Sequence, residues 1–134
     1  MTKLIDIEGA GPAYAAKLQK AGVRSTESLL ARGGTPAGRK EIAAKSGVSD
    51  ALILEWVNHV DLFRVKGVGS EYADLLEAAG VDTVVELAQR NPEQLHAKLL
   101  TANAAKKLVR RPPGFSQVRN WIQQAKKLPR MVSY

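Results

Sequence analysis

The chain repeats itself at an offset of 58 residues. Ile7-Glu8-Gly9-Ala10-Gly11-Pro12-Ala13-Tyr14-Ala15 aligns with Val65-Lys66-Gly67-Val68-Gly69-Ser70-Glu71-Tyr72-Ala73, with both glycines, the tyrosine and the alanine in register. The register holds through Leu18/Leu76, Ala21/Ala79, Gly22/Gly80, Val23/Val81 and Leu29/Leu87. It then loosens. Thr35-Pro36 matches Asn91-Pro92, and Trp56-Val57-Asn58 matches Trp121-Ile122-Gln123 after extra residues in the second copy. A chain duplicated in this way has to adopt a plan that serves both copies.

Each copy reads as helices, and no segment sustains strand alternation. Pro12 suits a first helical turn, Tyr14, Leu18 and Ala21 share a face, and Gly22 suits a left-handed C-cap. Ser25 caps a short helix that stops at Gly33-Gly34; Thr35-Pro36 opens another that closes at Gly47; Ser49 caps a longer one. In the second copy Asp82 is expected to cap Thr83 to Gln89, and Asn91-Pro92-Glu93-Gln94 starts a helix broken by Val109-Arg110-Arg111-Pro112-Pro113-Gly114. Val118, Trp121, Ile122, Ala125 and Leu128 give the last helix its apolar face, and Arg130 to Tyr134 reads as a loose tail. The fold class is therefore all-α: tandem repeats over residues 1–61 and 62–134. The apolar junction Val60-Asp61-Leu62-Phe63-Arg64-Val65 is expected to let the halves share a core.

Apolar-x-Gly-x-Gly followed by a helix and Ala-Gly-Val resembles the helix-hairpin-helix motif. The resemblance implies glycines that let the backbone approach a ligand, and helix N-terminal N–H groups that can hold a phosphate. The chain from Leu4 onward is also similar to the bacterial domain-of-unknown-function family 4332. That likeness is carried by the two glycine segments, Ala21-Gly22-Val23, Leu54-Glu55-Trp56-Val57-Asn58, Leu108-Val109-Arg110-Arg111 and Trp121-Ile122. It implies a fold and no activity.

The first hairpin suits phosphate poorly. Pro12 removes a donor and Asp6 and Glu8 add negative charge, so Gly9 and Gly11 are assigned a structural role. The second is the better candidate, through Lys66, Gly67, Val68, Gly69 and Ser70, although Glu71 already satisfies the helix dipole. Charge adds a second indication. The chain carries +7, yet after Glu93 it has nine Lys/Arg and no acid. Lys106, Lys107, Arg110 and Arg111 form the densest cluster, and on a continuous helix they would stack four residues apart. Such asymmetry suits a polyanion, an acidic protein surface, or a merely solvated face.

Other chemistry is thin. Without cysteine there are no disulfides or thiolate sites. His59 and His96 lack metal-ligand spacing, and Asp74 and Glu77 read as an ordinary solvated pair. No catalytic residue, metal or cofactor is assigned, and no enzyme is expected. Tyr14, Tyr72, Trp56 and Trp121 read as core anchors rather than base-stacking groups. No apolar run is long enough for a bilayer, and the N-terminus is too short and acidic for a signal peptide, so a cytoplasmic protein is expected. Two functions stay open. One is sequence-independent binding of DNA or another nucleic acid; the other is a protein-interaction adaptor that meets an acidic partner.

Overall fold

The computed structural model describes residues 11–134, so Gly9 and the residues before it lie outside the described part. Among the described residues there are eight helices and no strand: α1 Gly11–Lys20, α2 Thr26–Gly33, α3 Pro36–Ser46, α4 Asp50–Leu62, α5 Ser70–Ala78, α6 Val84–Ala88, α7 Pro92–Lys106 and α8 Phe115–Lys127. The all-α class is correct. The chain forms two compact units, one holding residues up to Asp61 together with Met131–Tyr134, the other Leu62–Arg130.

The duplication is visible as repeated hydrogen bonds. Val23 N–H donates to Leu18 O and Val81 N–H to Leu76 O, at 3.0 and 2.9 Å. Gly22 and Gly80 follow α1 and α5 at φ +85° and +92°, where a side chain would be strained. Arg32 donates to Ala21 O and Arg90 to Gly80 O, both at 2.8 Å. Tyr14 meets Trp56 edge-on at 5.1 Å, and Tyr72 meets Trp121 at 5.2 Å. Caps at Ser25, Thr35 and Asn91 accept the expected N–H groups, from Ser28, Gly38 and Gln94. The cap of α6 is Thr83 rather than Asp82: Thr83 Oγ1 accepts from Glu86 N–H, while the Asp82 N–H donates to the Glu86 carboxylate at 2.9 Å.

The second unit has its own core, in which Leu75, Leu76, Leu87, Leu95, Leu99 and Trp121 are buried. Each such side chain contributes about 1.5–3 kcal/mol by leaving water. In the first unit Leu18, Leu29, Ile42, Ile53 and Trp56 do the same.

The last four residues are neither loose nor part of the second unit. Val132 is buried, and Ser133 N–H donates to Gly34 O at 2.8 Å. The cause is Arg39, which is itself buried and donates to Gly33 O at 2.9 Å and Ser133 O at 2.8 Å. A guanidinium out of water needs such acceptors. α2 stops at Gly33-Gly34 as expected, and Gly34 also serves this packing. Gly34 has φ −68°, and a β-carbon there would lie 2.4 Å from Met131 O.

Removal of residues 131–134 should therefore cost on the order of 2 kcal/mol, through one buried valine and the acceptors of Arg39. Urea denaturation of the truncated chain checks this; an unchanged midpoint would refute it. Asp82 supplies a second prediction. Its burial and the Glu86 carboxylate push it above 3.8, against the pull of Arg90. The folded state then binds that proton more firmly, so stability falls as pH rises from 3.8 through the raised value. Melts across that range should show the fall flattened in Asp82→Asn, and equal profiles would remove the assignment.

Candidate functional site

The second glycine turn joins α4 to α5. Val65 N–H donates to Leu62 O at 3.2 Å and Val68 N–H to Val65 O at 3.1 Å. Gly67 is the residue with left-handed backbone, at φ +94°, and a β-carbon there would lie 3.2 Å from Trp121 Nε1. Gly69 has φ −98° and open space around it. Its counterpart Gly11 has φ +66°, so these two glycines differ in conformation despite the shared pattern. Val68 is buried in the core, which leaves the backbone of the turn and the exposed Lys66 side chain to face solvent. Ser70 opens α5. Gly69, as its N-cap, has no side chain to accept from the first turn, and Glu71 stands in that turn.

Lys66 is held by α8. Its N–H donates to Gln124 Oε1 at 2.9 Å, and Gln124 Nε2 donates to Lys66 O at 3.1 Å and to Asn120 Oδ1 at 2.7 Å. One amide thus satisfies both polar groups of a turn residue. No direct sign of this clamp is legible in the sequence beyond Gln124 lying almost one helical turn after Trp121.

The basic cluster is not one helical face. α7 ends at Lys106, and Lys107 adopts φ +51°, ψ +46° with its N–H donating to Asn103 O at 2.7 Å. A lysine in this conformation costs roughly 1 kcal/mol. The buried Asn103 side chain then grips Val109: Val109 N–H donates to Oδ1 at 2.9 Å and Nδ2 donates to Val109 O at 3.1 Å. Pro112-Pro113 bars a return to helix. Tyr72 Oη donates to Arg111 O at 3.1 Å, fixing this segment to α5.

The result is a groove of about 530 Å³ lined by Glu71, Asn103, Lys107, Leu108, Val109 and Arg110. Lys107 and Arg110 therefore share a groove with Glu71 of the first turn of α5. Lys106 and Arg111 are exposed at its borders in sequence, and Lys66 is absent from the lining. Asn103 was missed by sequence reasoning; its position four after Leu99 on the buried stripe Leu95-Leu99-Asn103 was the available signal.

The remaining candidates are buried or half-buried. Trp56 and Trp121 are 2% exposed, and His59 is buried. His96 Nε2 lies 3.2 Å from Pro113 O, with its ring against Phe115. Among the described residues no His/Cys/Asp/Glu group could hold a metal, and no helix is long and apolar enough to cross a membrane.

Alanine at Gly67 should cost on the order of 1 kcal/mol or more, because φ is positive and Trp121 is close. Alanine at Gly69 should stay within about 0.5 kcal/mol, since lost cap preference and reduced unfolded-state entropy oppose each other. Paired thermal melts test this; equal shifts would contradict the assignment of the turn.

The family model described as "Domain of unknown function (DUF4332)" matches residues 8–128, and the chain belongs to that family. No curated protein and no solved structure matches it.

Proposed function

We propose that this DUF4332 protein is a non-enzymatic helix-hairpin-helix module that binds nucleic acid, duplex DNA in the first instance, through backbone phosphates. The observation that carries the reading is the shared groove of Lys107, Arg110 and the first turn of α5. Two cations and a helix start without a side-chain cap suit a phosphate. The Tyr72 and Asn103 hydrogen bonds hold the basic segment in place before any ligand arrives. Trp121 is buried with Tyr72 packed against it, which favours phosphate contact over base stacking at these two rings and hence sequence-independent binding. Glu71 lines the same groove and opposes an anion there.

Fluorescence anisotropy on a short duplex should give micromolar binding at about 50 mM salt, falling by orders of magnitude near about 200 mM as counterions are released. Arg110→Glu with Arg111→Glu should abolish it, Lys17→Glu with Lys20→Glu should matter little, and Glu71→Gln should tighten it. A wild type that fails to bind at low salt, or equal losses in the two double variants, would end this reading in favour of a protein-partner role.

A further inference from the structure

We infer that the solvent face of α8, joined by Lys66, is a second phosphate-contacting surface, so that a bound duplex is held at two separate rows of cations. This rests on the nucleic-acid reading above.

The repeat provides the argument. α4 and α8 occupy the same place in the plan: each carries the tryptophan that receives the tyrosine of its own copy. Their solvent sides have opposite charge. α4, DALILEWVNHVDL, contains no Lys or Arg and exposes Asp50 and Glu55. α8, FSQVRNWIQQAKK, contains no acid and exposes Arg119, Lys126 and Lys127 beside Asn120 and Gln123. Packing therefore does not require the cations, since the other copy builds the same contact with carboxylates. Arg119, Lys126 and Lys127 have no ion-pair partner among the described residues.

Geometry recruits Lys66 to this face. The Gln124 clamp ties its backbone to α8, and Asn120, on the same helix, accepts from that clamp. Arg64 donates to Pro129 O just beyond the helix end. The glycine turn thus lies along α8, whereas Lys107 and Arg110 line the groove at the start of α5. Arg119 to Lys127 spans about 12 Å of helix axis at 1.5 Å per residue. A duplex presents about seven phosphate charges over that length. The long cations and neutral amides on this face are the side chains that meet phosphate oxygens. Trp121 is 2% exposed, and Phe115, at the helix start, is 39% exposed with its ring against His96.

The test is the salt dependence of duplex DNA binding by the full chain. In one variant Arg119, Lys126 and Lys127 become Gln. A control with equal charge loss changes Lys17, Lys20 and Lys40 to Gln. The α8 variant should bind more weakly, and its slope of log K against log salt should be shallower by about two to three, while the control keeps the wild-type slope. All six positions are exposed, and circular dichroism melts verify that both variants fold. Equal changes in variant and control would overturn the inference, because net charge alone would then explain them. If wild type binds, Arg110→Glu with Arg111→Glu abolishes binding and the α8 variant keeps its slope, the second surface falls and the groove stands. If wild type does not bind at low salt, the nucleic-acid reading fails and takes this inference with it.

Discussion

Each copy of the repeat is closed by one aromatic contact. Tyr14 on α1 reaches Trp56 on α4, and Tyr72 on α5 reaches Trp121 on α8, at almost the same separation. The contact joins the first and last helices of a copy and encloses the other two in sequence. Its ring–ring attraction is modest, about 0.5–1.5 kcal/mol beyond burial. Its larger effect is geometric. With those ends fixed, the second copy's extra residues have to be accommodated between them. They lengthen α7 relative to α3 and expand the connection before the last helix from Gly47–Ser49 to Lys107–Gly114. The candidate site is built from that expansion.

An expanded connection exposes backbone that a helix would have satisfied internally. Here the Asn103 amide meets part of that demand by pairing with both polar groups of Val109, and Gln124 does the same for Lys66 in the glycine turn. Each replaces a pair of main-chain hydrogen bonds and spares the segment the entropy cost of being ordered later by a ligand. The left-handed Lys107 is the strained residue of the arrangement, tolerated because Asn103 holds the chain on both sides of it.

What could be read in the sequence was local. Ser25, Thr35 and Asn91 act as caps because a cap needs only the next three residues. The all-helical class followed from apolar periodicity, and the inward placement of both tryptophans from their stripes. Three readings needed tertiary information. Of the two glycines in the second turn it is Gly67 that takes positive φ, in a turn that passes close to Trp121, far along the chain. The cluster of lysines and arginines breaks at Lys107 because Asn103 competes for the backbone, which helix propensity does not register. Arg39, which carries no local signal in the sequence, is buried with the carbonyl of Ser133, 94 residues away, as an acceptor.

That last pairing sets the order in which the molecule can be finished. During synthesis the first repeat leaves the ribosome before the second, yet the Arg39 guanidinium and Gly34 O receive partners translated 94 and 99 residues later. The second unit, Leu62–Arg130, has all of its own residues in hand before then. Of the two units, the one begun first is thus completed second, when Val132 and Ser133 bring the partners of Arg39 and Gly34. Vectorial folding usually proceeds from the N-terminus; here its closing step runs in reverse.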